Sequence, residues 1–171
     1  MRKALTVFSA LALSLTLSSC GLGNAVPQTI EMGGVGNGVD AAAGAIAIQD
    51  TTLVYDGSSL GLVASLVNRS LDADSLEGIG VNGELLVLAQ NDVPLTMGAT
   101  VPARNTLRFG HESEFSATLV GDFTPGTYAT VEYVLAAGGS VTKRVLIVEK
   151  TGFYSDVVTS LAPVPAVPVV E

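Results

Sequence analysis

Thr127-Tyr128-Ala129-Thr130-Val131-Glu132-Tyr133-Val134-Leu135-Ala136 has the clearest strand pattern in the chain, and the architecture can be read from it. Ala129, Val131, Tyr133 and Leu135 fall on one face of an extended chain, and Tyr128, Thr130 and Glu132 fall on the other. A period of two with β-branched and aromatic residues is the pattern of a half-buried strand. The turns on either side support it. Thr124-Pro125-Gly126 places Pro before Gly, as a type II turn prefers. Gly138-Gly139 reverses the chain into Val141–Val148, where Lys143 and Arg144 predict partial exposure.

Similar runs recur about every ten residues, the spacing of an all-β sandwich or barrel. Ala45–Tyr55 carries Ile46, Ile48, Leu53 and Val54, with Gln49-Asp50-Thr51 as an expected bulge. Asp56-Gly57-Ser58 turns into Leu60–Val67, which Asn68-Arg69-Ser70 closes, and Asp72-Ala73-Asp74-Ser75 leads into Leu76–Val81. Asn82-Gly83 is the strongest hairpin signal, because both central positions of a type I′ turn need positive φ. Glu84–Ala89 is expected to pair back from it. Gln90-Asn91-Asp92 and Pro94 mark a loop, and Thr106–Phe109 and Phe115–Val120 are further strands. Thr151–Leu161 offers a helical turn or two through Phe153, Val157 and Leu161. Beyond it Pro163, Pro165 and Pro168 favour an extended tail.

At the other end, Arg2 and Lys3 precede an apolar run from Ala4 to Leu17, then Ser18, Ser19 and Cys20. Basic, apolar and small-residue segments in that order read as a secretory leader. The run is short of the ~20 residues a bilayer core requires. Leu17-Ser18-Ser19-Cys20 also resembles the bacterial lipobox, which implies a diacylglyceryl group on Cys20 and a membrane anchor on the extracytoplasmic face. Two acyl chains on one residue suffice for stable anchoring. Cys20 is the chain's one cysteine, so the domain depends on packing without disulfides. The expected organisation is a leader at 1–19, a lipidated flexible tether at 20–44 rich in Gly and Ala, a β-domain at 45–150 and a tail at 151–171. The chain's net charge of −8 becomes −10 once Arg2 and Lys3 leave with the leader. That surface excludes nucleic acid and polybasic membrane contact. Membrane attachment therefore falls to the lipid on Cys20.

The β-domain resembles the periplasmic copper chaperone PCu(A)C family, in particular its LpqE-like lipoprotein branch. The likeness rests on Leu62–Ser70 with its Asn-Arg-Ser turn, on Asp74-Ser75-Leu76-Glu77-Gly78-Ile79, on Val101-Pro102-Ala103 and on the final hairpin. It implies a cupredoxin-like Greek-key barrel. The family binds Cu(I) through an early His, a Met in the following loop and a late His-x-Met pair, and soft ligands suit that ion. Here the first place falls near Leu88 or Ala89, and the late pair near Ser113 and Phe115.

The candidate metal ligands are therefore His111 and Met97. His111 reads first as a solvated loop histidine, and second as a ligand together with Met97 or Glu112. Asp72, Asp74 and Glu77 lack calcium-loop spacing and read as turn acids. No Gly-x-Ser-x-Gly elbow accompanies the single histidine, which argues against a Ser-His-Asp hydrolase. The sequence reading is thus a non-catalytic envelope lipoprotein, not an enzyme. Its copper site is degenerate, it takes no cofactor, and it acts as an interaction module for an envelope protein partner. The alternative is an active copper-trafficking chaperone using His111 and Met97 or intermolecular ligands.

Overall fold

Residues 38–161 are described by a computed structural model. Among these residues twelve strands form, the first six being β1 (Val39–Ala43), β2 (Ile46–Tyr55), β3 (Ser59–Asn68), β4 (Asp74–Val81), β5 (Glu84–Leu85) and β6 (Val87–Gln90). The rest are β7 (Val93–Pro94), β8 (Ala99–Val101), β9 (Thr106–Phe109), β10 (Phe115–Val120), β11 (Tyr128–Leu135) and β12 (Gly139–Glu149). One curled layer contains β2 and β3, flanked by β1, β9, β10, β6 and β7. The other contains β4 and β11 with β5 and β8. β12 belongs to both: it pairs antiparallel with β11, and its last residues, Ile147–Glu149, run parallel to Leu53–Tyr55 of β2. The architecture is all-β, as the strand spacing implied, and cupredoxin-like, as the family resemblance implied.

The turns explain the register. Asn82 and Gly83 both adopt positive φ, 52° and 89°, and join β4 to β5 as a type I′ turn requires. Asp50 has φ 56° at the register shift in β2, so the expected bulge is present. β11 alternates as read: Ala129, Val131, Tyr133 and Leu135 are buried while Tyr128, Thr130 and Glu132 are exposed. Tyr133 is fully buried, and its hydroxyl meets Thr51 Oγ1 at 3.0 Å. That bond satisfies the one polar atom the ring carries into the core. Burial pushes the Tyr133 phenol well above the ordinary tyrosine range.

Three expectations change. β1 lies inside the stretch read as tether, because its small residues fold back on Ile46–Thr51 through Gly44 at φ +57°. Glu84–Ala89 is not one strand. Only Glu84 and Leu85 pair with β4; Leu86 turns into the core, and β6 crosses to pair with β10 in the other layer. The adjacent leucines break the alternation that a continuous strand would need. Third, the segment after β12 makes a single 3-10 turn, Gly152–Tyr154, and then lies across the outer face of the sheet. Val157 and Thr159 are buried there, and the Val158 carbonyl approaches so closely that a Cβ on Gly61 would sit 2.3 Å from it. The leader, Cys20 with the tether as far as residue 37, and the Pro-rich residues 162–171 lie outside the described residues.

The motifs that carried the family likeness turn out to be structural joints. The side chain of buried Asn68 donates to the carbonyls of Asp72 (2.8 Å) and Val101 (3.2 Å) and accepts from Ser70 N–H and Oγ. Its donor and acceptor ends are all engaged, which a buried amide requires. Asp74 accepts from the N–H groups of Ala137 and Gly138, fastening the β11–β12 turn to β4.

Candidate functional site

His111 stands in the loop between β9 and β10, and that loop is shaped by its own backbone. Gly110 has φ +99° and passes so close to β3 that a Cβ there would lie 2.8 Å from Val63 Cγ2. Ser113 Oγ donates to the Arg108 carbonyl at 2.6 Å and accepts from Phe115 N–H, closing the loop. The His111 ring is thereby carried onto the segment after β12. Its centroid lies 4.2 Å from that of Phe153 and 5.7 Å from that of Tyr154. These three rings with Thr52, Val63 and Arg108 line a cleft of about 350 Å³.

The polar geometry of the imidazole is specific. Nδ1 lies 2.7 Å from Asp156 Oδ1, and Nε2 is buried with no hydrogen-bond partner among the described residues. An ionised carboxylate only accepts, so Nδ1 carries the proton; in the neutral ring Nε2 then holds a bare lone pair. A buried acceptor without a partner costs about 1–3 kcal/mol, so this atom is a standing demand for a ligand. Imidazole nitrogen is a ligand for copper, and a carboxylate on the second nitrogen is the usual support of a metal-binding histidine.

The other sequence-level candidates fall elsewhere. Met97 is 83% exposed in the loop before β8, beside a different cleft that includes Leu85, Leu88 and Leu95. The two clefts share no residue, so His111 and Met97 are not brought together. Glu112 is exposed at φ 48°. The places implied by the family ligands are adjacent in space, since β6 pairs with β10 through Ala89 and Ser116. They hold Leu88, Ala89, Ser113 and Phe115, none of which is a copper ligand. Among the described residues no three His, Cys, Asp or Glu side chains cluster as a metal cage. Asp156, Phe153 and Tyr154 were not anticipated as site residues. The available signal was an aromatic pair close to an acid in a chain with only 5% aromatic residues.

A larger cleft, about 470 Å³, lies beside Tyr55, Asp56, Glu149 and Lys150, but the carboxylate of Asp56 is already saturated. Asp56 accepts from Thr159 Oγ1 at 2.6 Å and from the N–H groups of Ser58 and Ser59 at 2.9 Å. The Thr159 hydroxyl is the main cause holding Asp56 below the usual carboxylate range; desolvation opposes it, and the two N–H groups assist. This is a clasp for the segment after β12 rather than a ligand site.

No protein-family model matches the chain, and no curated protein matches it. Solved structures do. A copper-bound PCuAC domain from PmoF2 aligns at TM-score 0.56 and 18% identity, over 65% of this chain and 98% of that one. The apo PCuAC domain of PmoF2 aligns at 0.57 and 17%, over 67% and 98%. The apo PCuAC domain from PmoF1 aligns at 0.55 and 15%, over 64% and 98%. The expectation of a barrel without a cofactor is corrected by the first of these, because a domain so similar in fold is described with copper bound. Whole PCuAC domains are thus covered almost end to end, and the β-domain of this chain has the PCuAC fold.

Proposed function

We propose that the chain is a copper-trafficking protein of the cell envelope, non-catalytic, with His111 Nε2 as its in-chain ligand. The observation that carries this reading is the bare, buried Nε2 of a carboxylate-held histidine, on a fold it shares with a copper-bound domain. One imidazole cannot hold Cu(I) tightly, so the remaining ligands come from a partner molecule. Such sharing suits a carrier, because an ion held partly by each protein passes between them without being released into solvent. A protein partner also fits the exposed apolar side chains Leu85, Val87, Val93 and Met97 around the β5–β7 region. A soft thioether at the margin of that surface would meet the ion at a second contact point.

A competition titration with a chromogenic Cu(I) chelator, run with a Met- and His-containing peptide that supplies the partner's ligands, tests the reading on wild type and His111→Ala side by side. The wild-type protein is expected to retain copper against the chelator more than the variant does, by tenfold or more. Equal retention would remove His111 from the function.

The anchor belongs to the same proposal: Cys20 carries the lipid and keeps the carrier at the outer face of the membrane. Cys20→Ser is expected to lose the acyl mass by mass spectrometry and to leave the membrane fraction or retain its leader. A lipidated, membrane-bound variant would refute the assignment.

A further inference from the structure

We propose that Asp156 is the positioning residue of the His111 site, fixing which imidazole nitrogen is offered to the metal; this rests on the copper reading above. Asp156 is not part of the barrel. It lies just past the 3-10 turn, on the segment that crosses the outer face of β2 and β3, and reaches His111 over a separation of 45 residues. Its side chain is half exposed, whereas that of His111 is 22% exposed. An isolated pair of that kind on a surface contributes little to stability. What distinguishes this one is its consequence for the far side of the ring. With Nδ1–H donated to Asp156, the tautomer is set, and the lone pair is confined to Nε2, the atom that is buried and without a partner.

The neighbouring groups reinforce the orientation. Phe153 and Tyr154, three and two residues before Asp156, pack on the imidazole and limit its rotation about χ2. Asp156 itself is held by the residues C-terminal to it: Val157 is buried, and Thr159 is clasped by Asp56. The ligand and its support therefore come from different parts of the chain, His111 from the β9–β10 loop and Asp156 from the docked segment. The chemical class of the ligand is set by the unpartnered lone pair of Nε2. It is a metal ion with affinity for neutral imidazole, of which Cu(I) is the one the fold comparison favours. Oxygen-seeking cations such as Mg²⁺ and Ca²⁺ are not served by this atom.

The experiment uses the full chain in two arms. Long-range ¹H–¹⁵N correlation of the metal-free protein reads the His111 tautomer directly. Wild type is expected to show Nδ1 protonated and Nε2 bare, and Asp156→Ala to shift toward the Nε2–H form, with Asp156→Glu restoring at least part of the wild-type pattern. Chelator competition then reads Cu(I) affinity, expected to fall roughly ten- to a hundredfold in Asp156→Ala, the usual effect of losing a histidine's outer partner. Thermal melting confirms that the variants remain folded. An unchanged tautomer in Asp156→Ala overturns the proposal, as does a changed tautomer with unchanged affinity. If wild-type copper retention proves independent of His111, the copper reading fails in the second arm alone, and with it Asp156's role toward the metal. The first arm would still report the proton placement.

Discussion

Val131→Asp is expected to abolish cooperative folding, whereas Thr130→Asp, one residue away, leaves it nearly intact. Val131 is fully buried in β11, between Val81 of β4 and Lys143 of β12 in the strand ladders. Its side chain points into the core formed with Ile79, Tyr133 and Val145. A carboxylate there is surrounded by apolar groups and has no counter-ion in the core, at a cost of several kcal/mol by order of magnitude. A domain of this size has about 5–15 kcal/mol in total, and no disulfide supplements it. Thr130 faces solvent, directly across from Arg144. Aspartate at that position gains an opposite charge on the neighbouring strand, worth a fraction of a kcal/mol. Its backbone N–H keeps the Asn82 side-chain acceptor. Denaturant melts of the two variants give the comparison, and equal losses would show the strand to be displaced by one residue.

Gly61→Ala is expected to lift the segment after β12 without dismantling the barrel. Gly61 is held in the middle of β3, paired with Val54 on one side and Thr118 on the other, so the sheet cannot yield. The added methyl would meet Val158 O at 2.3 Å and Val157 Cγ1 at 3.1 Å. What moves is the crossing segment. Exposing Val157 forfeits roughly 1.5–3 kcal/mol of burial. It also parts Thr159 from Asp56. Because the folded Asp56 lies below its unfolded value, its contribution is present above about pH 4 and is lost as pH falls further. The variant should therefore unfold at higher pH on acidification, and a protease should cut within residues 152–161 faster than in wild type. Unaltered acid resistance together with unaltered cleavage would mean that the segment is not held against β3.

Much of the fold was legible because strands and turns leave local marks. The alternation from Tyr128 to Leu135 determined which side chains enter the core, and Asn82-Gly83 marked a reversal that few other residue pairs can make. The break at Leu86 was not legible, since two leucines in a row suit an uninterrupted apolar run as well as a strand that changes layer. The site divided in the same way. His111 stood out because it is the chain's single histidine. Its partners did not: Asp156 lies 45 residues away, on a segment whose position depends on tertiary packing rather than on any period. The family-like motifs were visible for a different reason. Asn68 and Val101 tie the two layers together and Asp74 fastens the β11–β12 turn to β4, so they mark the fold and are silent about copper.

The double membership of β12 has a consequence for the order in which the molecule can assemble. The hairpins β2–β3 and β11–β12 close over short distances, but the parallel contact of Leu53–Tyr55 with Ile147–Glu149 joins strands separated by most of the described chain. Contacts of that span are entropically costly to close and slow folding. A chain emerging from its N-terminus, whether from a ribosome or across a membrane, can pair β1 with Ile46–Thr51 early, but the Leu53–Tyr55 end of that edge has no partner until β12 has appeared. The segment bearing Asp156 comes directly after β12, so it docks only on a closed barrel. His111 acquires its carboxylate at the final stage of folding, and an incompletely folded chain leaves the imidazole unoriented.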